Sequence, residues 1–275
     1  MADEWTGLGA TGKHVPYYNG PKTPYGRVKT RKKPAREVPA GKVKAPLGAD
    51  HPVVREGRTQ YPRTRKRFGS VATFKSGEQN RKVGSRFVRG PSAGKEIHVL
   101  NLEERATCSR GCHAWRYCYG NTMPLAHRIE HGPELEAGLA DEVDKVIEAC
   151  RAPHGVAFRL HGLGDFYSVG YVERWIEIVA ARPEASVFGF TAHSPKSEIG
   201  AAVVAGIREL GWDRFGVRFS VASASSDLPR AKVFERLEDV PFGWAPCNAQ
   251  TGASANCGEC GLCLTDVAGI AFVRH

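Results

Sequence analysis

Seven of the eight cysteines in this 275-residue chain fall into two groups, one of three and one of four. The first group is Cys108, Cys112 and Cys118, with spacing C-x3-C-x5-C. The second is Cys247, Cys257, Cys260 and Cys263, its last three spaced C-x2-C-x2-C. Four thiolates close the shell of a zinc ion or saturate an iron–sulfur cluster, whereas three leave one coordination position open for chemistry. The N-terminal Met-Ala-Asp-Glu-Trp has no apolar core of a secretory signal. No apolar run approaches the roughly 20 residues of a membrane helix. A cytoplasmic protein without membrane contact is therefore expected, in a reducing compartment where clustered cysteines bind metal rather than pair as disulfides.

Charge divides the chain. Residues 1–70 hold 16 Lys/Arg and 5 Asp/Glu, a net +11 of a total of +10, so the remaining 205 residues carry −1. This Pro-, Gly- and Lys/Arg-rich stretch has few large aliphatics to offset its ordering entropy, and reads as a largely disordered basic arm. Its densest charge runs are Arg31–Lys33 and Arg63–Arg67. With interleaved Tyr17, Tyr18, Tyr25 and Tyr61 to stack on bases, the arm points to nucleic acid as a partner, the plain alternative being a solubilising tail.

Residues 71–91 read as a linker and 92–275 as a folded α/β domain. Short strands are expected at 97–102, 155–161, 186–191, 215–221, 240–244 and 267–273. Helices are expected at 134–150, 169–181, 197–210 and 229–238. Strands alternating with helices of this length predict parallel βα repeats, here a partial (β/α)6-type barrel. Ligands of such folds sit beyond the carboxyl ends of the strands, where the first cysteine loop and the turn Gly162-Leu-Gly164-Asp165 both fall. Arg159, His161, His193, Arg218 and Ser223 lie on or just after strands and have no assigned role. Cys150 stands apart, on the apolar side of a helix, and reads as a core residue.

The first cysteine loop resembles that of radical S-adenosylmethionine enzymes, which carry C-x3-C-x-aromatic-C after their first strand. Here Tyr117 fills the aromatic position, with five residues instead of two before the last cysteine. The resemblance implies a four-iron–four-sulfur cluster on Cys108, Cys112 and Cys118, and S-adenosylmethionine on the open iron. The methionine end would be contacted by Gly162, Gly164 and Asp165, in the place of those enzymes' glycine-rich acidic motif, and an electron donor would be required. The plain alternative is a zinc knot completed by His113, His98 or His127. Cys247, Cys257, Cys260 and Cys263 are expected to hold either a second four-iron cluster or zinc, since spacing alone does not choose. The alternative function is a non-catalytic, zinc-stabilised nucleic-acid-binding protein.

A closer likeness is carried by the order Cys118-Tyr119, Gly164-Asp-Phe-Tyr-Ser168, Tyr171-Val-Glu-Arg-Trp175, Phe188-Gly-Phe-Thr191 and a terminal cysteine cluster. This order resembles the phage "gene product eighty-eight" family over roughly residues 92–275. That family lacks an assigned activity, so the likeness implies a phage protein in the host cytoplasm without naming its reaction.

Overall fold

The computed structural model describes residues 46–275 except 81, 151–152, 222–223, 225–226, 266, 268 and 274–275. The elements run α1 (Pro52–Glu56), β1 (Arg65–Lys66), β2 (Phe74–Ser76), β3 (Glu96–Asn101), β4 (Arg128–Ile129), α2 (Pro133–Ala149), β5 (Val156–Leu163), α3 (Val169–Ala180), β6 (Ala185–Thr191), α4 (Glu198–Leu210), β7 (Phe215–Phe219), β8 (Arg230–Phe234), β9 (Trp244–Pro246), α5 (Asn248–Thr251), α6 (Cys257–Cys260) and β10 (Gly269–Val273). Eight strands form one sheet in the order β2-β3-β5-β6-β7-β8-β10-β9, parallel except for β2 against β3. β1 and β4 form a separate parallel pair.

The stretch β3-β5-β6-β7-β8 keeps chain order and is wound in one direction, so its crossover helices share one face. One set of inward residues packs there: Leu100, Phe158, Leu160, Val187, Val217 and Phe219 meet Leu139 and Val143 of α2, Trp175 and Ile178 of α3, and Val203 of α4. The pleat sends alternate residues the other way. Val99, Ala157 and Phe188 point to the opposite face, which is covered by Val83, Phe87 and Leu264. The cysteine-bearing C-terminal segment therefore sits on the face that the long helices leave free.

Local sequence explains the helices. Ser168 and Ser197 cap α3 and α4, their hydroxyls accepting the amides of Tyr171 (3.0 Å) and Gly200 (3.1 Å). Pro133 opens α2 at a position with no amide partner to lose. α3 buries Tyr171, Val172, Trp175, Ile178 and Val179 almost completely, each worth about 1.5–3 kcal/mol or more over exposure.

The mostly parallel α/β sheet agrees with expectation, with two more strands than foreseen, β2 and β8. β8 corrects the helix expected at 229–238. Its five residues pair from Arg230 with Gly269 to Phe234 with Val273, and this ladder outweighs the helical propensity of the following Glu235-Arg-Leu-Glu-Asp239. That stretch closes instead into a 3-10 turn at Leu237–Asp239. The strand expected at 240–244 begins at Trp244. Among the described residues no pairing joins the edge strands β2 and β9, so the sheet is open.

The arm expected over residues 1–70 lies outside the described residues up to 45, including Arg31–Lys33 and Tyr17, Tyr18 and Tyr25. Residues 46–70 carry α1 and β1 and are docked on the body. Two of the four cations in the run Arg63–Arg67 meet acids there: Arg65 pairs with Glu103 (3.1 Å) and Glu130 (3.3 Å), and Arg67 with Glu134 (3.5 Å).

Trp175 is central to the helix-covered face and touches Phe74 and Phe158 at ring-centroid separations of 6.2 and 5.9 Å. Trp175→Ala is expected to lower unfolding free energy by about 3–5 kcal/mol. Phe242→Ala, at a side chain 90% exposed, should stay within about 0.5 kcal/mol of wild type. Urea denaturation of both variants measures the contrast.

Candidate metal centres

The first cysteine loop follows the carboxyl end of β3 and returns to the body at β4. Two buried arginines give it shape. Arg128 grips Glu104 through Nε (2.5 Å to Oε2) and Nη2 (3.1 Å to Oε1). Its remaining donors reach Thr64 Oγ1 (2.8 Å) and the carbonyls of Ala126 (2.7 Å), Gly120 (3.2 Å) and Met123 (3.3 Å). Arg105 donates to the Trp115 carbonyl (2.9 Å), Asn121 Oδ1 (2.6 Å) and the Arg58 carbonyl (3.3 Å). Residues 47–61 wrap the outside. Thr59 donates to Glu103 (3.1 Å) and Glu104 (2.8 Å), Trp115 Nε1 to the Val54 carbonyl (3.0 Å), and Arg116 to the Leu47 carbonyl (2.7 Å).

Inside this wrapping, the Cys112 and Cys118 thiols raise the pKa of Cys108, and Cys118 raises that of Cys112. Burial is the larger cause: it pushes Cys108 well up, Cys112 up to about 11, and Cys118 up, and Asp165 adds to the effect at Cys108 and Cys112. Thiols so placed ionise when a cation supplies the missing positive charge.

The turn after β5 lies beside these thiols, and packing within the protein accounts for its glycines. A Cβ on Gly162 would collide with Asn101 and Val99 of β3. Gly164 has φ +86°, and a Cβ there would lie 2.6 Å from Thr107 Oγ1 and 2.7 Å from Leu102 Cβ. The Gly162 carbonyl accepts a hydrogen bond from the Tyr119 hydroxyl. Asp165 is buried, and its carboxylate accepts the amides of Phe166 (2.8 Å) and Ala192 (2.7 Å), while its own amide donates to Thr107 Oγ1 (3.0 Å). Burial pushes this carboxyl up; His193, those two amides and the Thr191 hydroxyl pull it down. Asp165 thus ties the ends of β5 and β6 to the cysteine loop. Tyr117 is half-buried, its ring 6.4 Å from that of His113.

The second group is built differently. Cys247 ends β9, Cys257 and Cys260 bracket α6, and Cys263 lies in the next turn. All four line one small cavity, with Ala249, Leu262 and Ile270. Asn256 caps α6 through the Glu259 amide (2.9 Å), and Gly261 takes the left-handed φ of +70° that turns the chain toward Cys263. Backbone bonds from Cys257 to the Lys82 carbonyl (2.8 Å), Gly258 to the Val83 carbonyl (2.9 Å) and Val88 to the Gly258 carbonyl (2.9 Å) strap the segment to residues 82–88. From the sheet, Arg218 donates to the carbonyls of Thr265 (2.6 Å) and Val267 (2.7 Å). Burial, then mutual repulsion, pushes Cys247, Cys257 and Cys260 up to about 12.

Among the described residues only Glu96, His98 and Cys150 bring three ligand atoms within 4.8 Å of one another. Neither cysteine group gathers three sulfurs that tightly. A tetrahedral zinc with sulfur ligands at about 2.3 Å holds them about 3.8 Å apart, so closing either group on one ion would take an inward rotation of its side chains.

The Arg159 charge is felt at Cys257 and at Tyr119, beside Cys118. Arg159 lies over the Phe190 ring (4.6 Å) and nearer the sheet face bearing Phe188 (5.5 Å). His161 turns the other way: its Nε2 is 3.1 Å from the Tyr171 hydroxyl, and burial pushes it down to about 3. His193 Nε2 sits 2.8 Å from the Phe166 carbonyl. Tyr167 and Trp175 pack against the core around Tyr171. Ser223 lies outside the described residues. Of the histidines considered as a fourth ligand to the first loop, His98 lies at the opposite end of β3 beside Cys150, and His127 beside Lys66 and Lys75.

The sequence reading missed three things here. The wrapping by residues 46–61 has no motif. Arg128 and Arg105 look like ordinary surface arginines until the loop closes on them. Cys150 packs against the core as expected, and at the C-cap of α2 it also touches Glu96 and His98, which no motif foretells.

No curated protein and no solved structure matches the chain. A family model described as Gene product 88 matches residues 73–246. That span runs from β2 to β9, taking in the sheet from its first edge strand, the three long helices and the first cysteine loop, and the chain belongs to the Gene product 88 family.

Proposed function

We propose that this protein is an iron–sulfur enzyme of the radical S-adenosylmethionine type. The observation that carries the reading is the trio Cys108, Cys112 and Cys118, three thiols on one loop at the carboxyl end of a singly wound parallel sheet. Helices confined to one sheet face are how a partial barrel is built, which supports that architecture. Three thiols would hold three irons of a four-iron cluster and leave one for an added ligand. When bound, such a cluster supplies an electron for the cleavage of S-adenosylmethionine; the protein supplies position and exclusion of water. Arg128, Arg105 and the 47–61 wrapping would hold the loop that carries the three thiols in one shape. Gly164 and Asp165 fix the neighbouring turn, so that its backbone, rather than the Asp165 carboxylate already bonded to two amides, faces a bound methionine group. Cys247, Cys257, Cys260 and Cys263, which line one small cavity, would hold an auxiliary cluster or a zinc ion. The substrate class is nucleic acid or nucleotide, on the charge of residues 1–45, which hold ten Lys/Arg and three Asp/Glu.

The test is anaerobic purification with iron, sulfide and zinc analysis of wild type and of a Cys108/Cys112/Cys118→Ala variant. The variant is expected to lose about four irons per chain and keep the rest. Zinc without iron in the wild type would overturn the proposal.

Arg128→Met leaves Glu104 buried without its counter-charge. It is expected to cost about 3–5 kcal/mol and to empty the first group while sparing the second, whose straps do not touch Arg128. Denaturation together with iron content per chain checks both parts.

A further inference from the structure

At the opposite end of β3 from the first cysteine loop, three side chains of different chemistry converge. Glu96 opens the strand and His98 follows two residues on, so both project from the same side. Helix α2 ends at Ala149, and its C-cap Cys150 turns its thiol toward them. Cys150 Sγ lies 3.0 Å from Glu96 Oε2 and 3.3 Å from His98 Nε2, and that nitrogen lies 4.0 Å from Glu96 Oε2. The segment from Glu96 to Asn101 spans about 16 Å at strand rise, which separates this trio from the first cysteine group.

Two bland readings fit less well. In a relay of the kind that activates a nucleophilic cysteine, the thiol and the carboxylate sit on opposite imidazole nitrogens. Here both approach Nε2. Activation also calls for a depressed thiol pKa, whereas burial and the Glu96 carboxylate push Cys150 up to about 12. Cys150 packs against the apolar core on one side, but core packing does not account for its half-buried thiol meeting both a carboxylate and an imidazole.

The distances fit a metal shell. Zinc bound by sulfur at about 2.3 Å and by nitrogen and oxygen at about 2.0–2.1 Å in a tetrahedron separates its ligand atoms by about 3.3–3.6 Å. The observed 3.0, 3.3 and 4.0 Å bracket that range, so small side-chain rotations place all three. The other Glu96 oxygen is held by Arg86 Nη2 at 3.0 Å, which orients the carboxylate as outer partners of metal ligands do. The side chains of Glu96 and His98 are 29% and 16% exposed, leaving an approach for an ion and for a water in the fourth position. A thiolate with an imidazole selects zinc over the hard cations magnesium and calcium.

We propose that Glu96, His98 and Cys150 form a third metal centre, binding one zinc ion that ties the end of α2 to the start of β3 and keeps one coordination position open to solvent. The incoming ion displaces the Cys150 thiol proton to solvent. This site is independent of the iron–sulfur reading and stands or falls by itself.

The test is zinc content of the full chain, purified anaerobically from cells supplied with zinc, for wild type and for the variants Cys150→Ser, His98→Gln and Glu96→Gln. Iron is counted on the same samples, so failure of the iron–sulfur reading appears separately. Cys150→Ser and His98→Gln are each expected to lose one zinc per chain with iron unchanged, and Glu96→Gln to bind zinc at least tenfold more weakly in competition with a chelator. Equal zinc in wild type and all three variants would overturn the site. If Cys150→Ser does not fold, as read by circular dichroism, the two conservative glutamine variants decide by the same criterion.

Discussion

The pairing of Arg128 with Glu104, both almost fully buried, is the constraint on which the first cysteine loop depends. Taking two charges out of water costs several kcal/mol per ion, and their attraction repays it only when the remaining donors and acceptors are also satisfied. Here the bidentate contact is joined by four further bonds from Arg128 to Thr64 and to three loop carbonyls. Glu104 also accepts from Thr59. The loop therefore cannot form by itself. It needs β4 to bring Arg128 and residues 59–64 to supply Thr59 and Thr64, so the cysteines, the wrapping segment and the strand pair β1–β4 order together.

This dependence explains what could be read from residues alone and what could not. β3, β5, β6, β7, α2, α3 and α4 were legible within about two residues, because each carries its own apolar period and, at Ser168 and Ser197, its own cap. The strand at 230–234 was not. Its buried residues, Ala231 and Phe234, sit three apart, a spacing shared with helices, and only the partner β10 decides between them. Residues 46–70 looked like a disordered arm because their contacts are polar and long-range. Their carbonyls accept from Arg105, Arg116 and Trp115, and the Thr59 amide and hydroxyl donate to Glu103 and Glu104, none of which announces a partner in sequence. The cysteine spacing was informative for the opposite reason: ligands that share a loop must lie close in space. Cys150, with ligand atoms 52 and 54 residues away in the chain, offered no such clue.

The glycines of the Gly162-Leu-Gly164-Asp165 turn show how a motif can be right in place and different in reason. The turn does lie against Cys108 and Cys112, as strand order implied. Its glycines are required by β3 and by Thr107, and its acid by the amides of Phe166 and Ala192. A ligand resting there would meet a surface already set by contacts within the protein, which is how a site is preorganised. The same holds at Arg218, a strand residue in a pocket position that is spent on holding the C-terminal cysteine segment to the sheet.

The two cysteine groups are anchored by separate sets of bonds, yet Arg159 relates them electrostatically. Buried thiols resist ionisation, and each additional thiolate raises the resistance of its neighbours, so a cluster of them is stable only with positive charge close by. Arg128 and Arg105 lower the pKa of Cys118 from within the first loop. Arg159 lowers that of Cys257 across the sheet face, and its Nη1 is buried without a hydrogen-bond partner in the structure. Arg159 is half-buried against the Phe188 and Phe190 rings, and from there its charge favours the thiolate of Cys257 over the thiol.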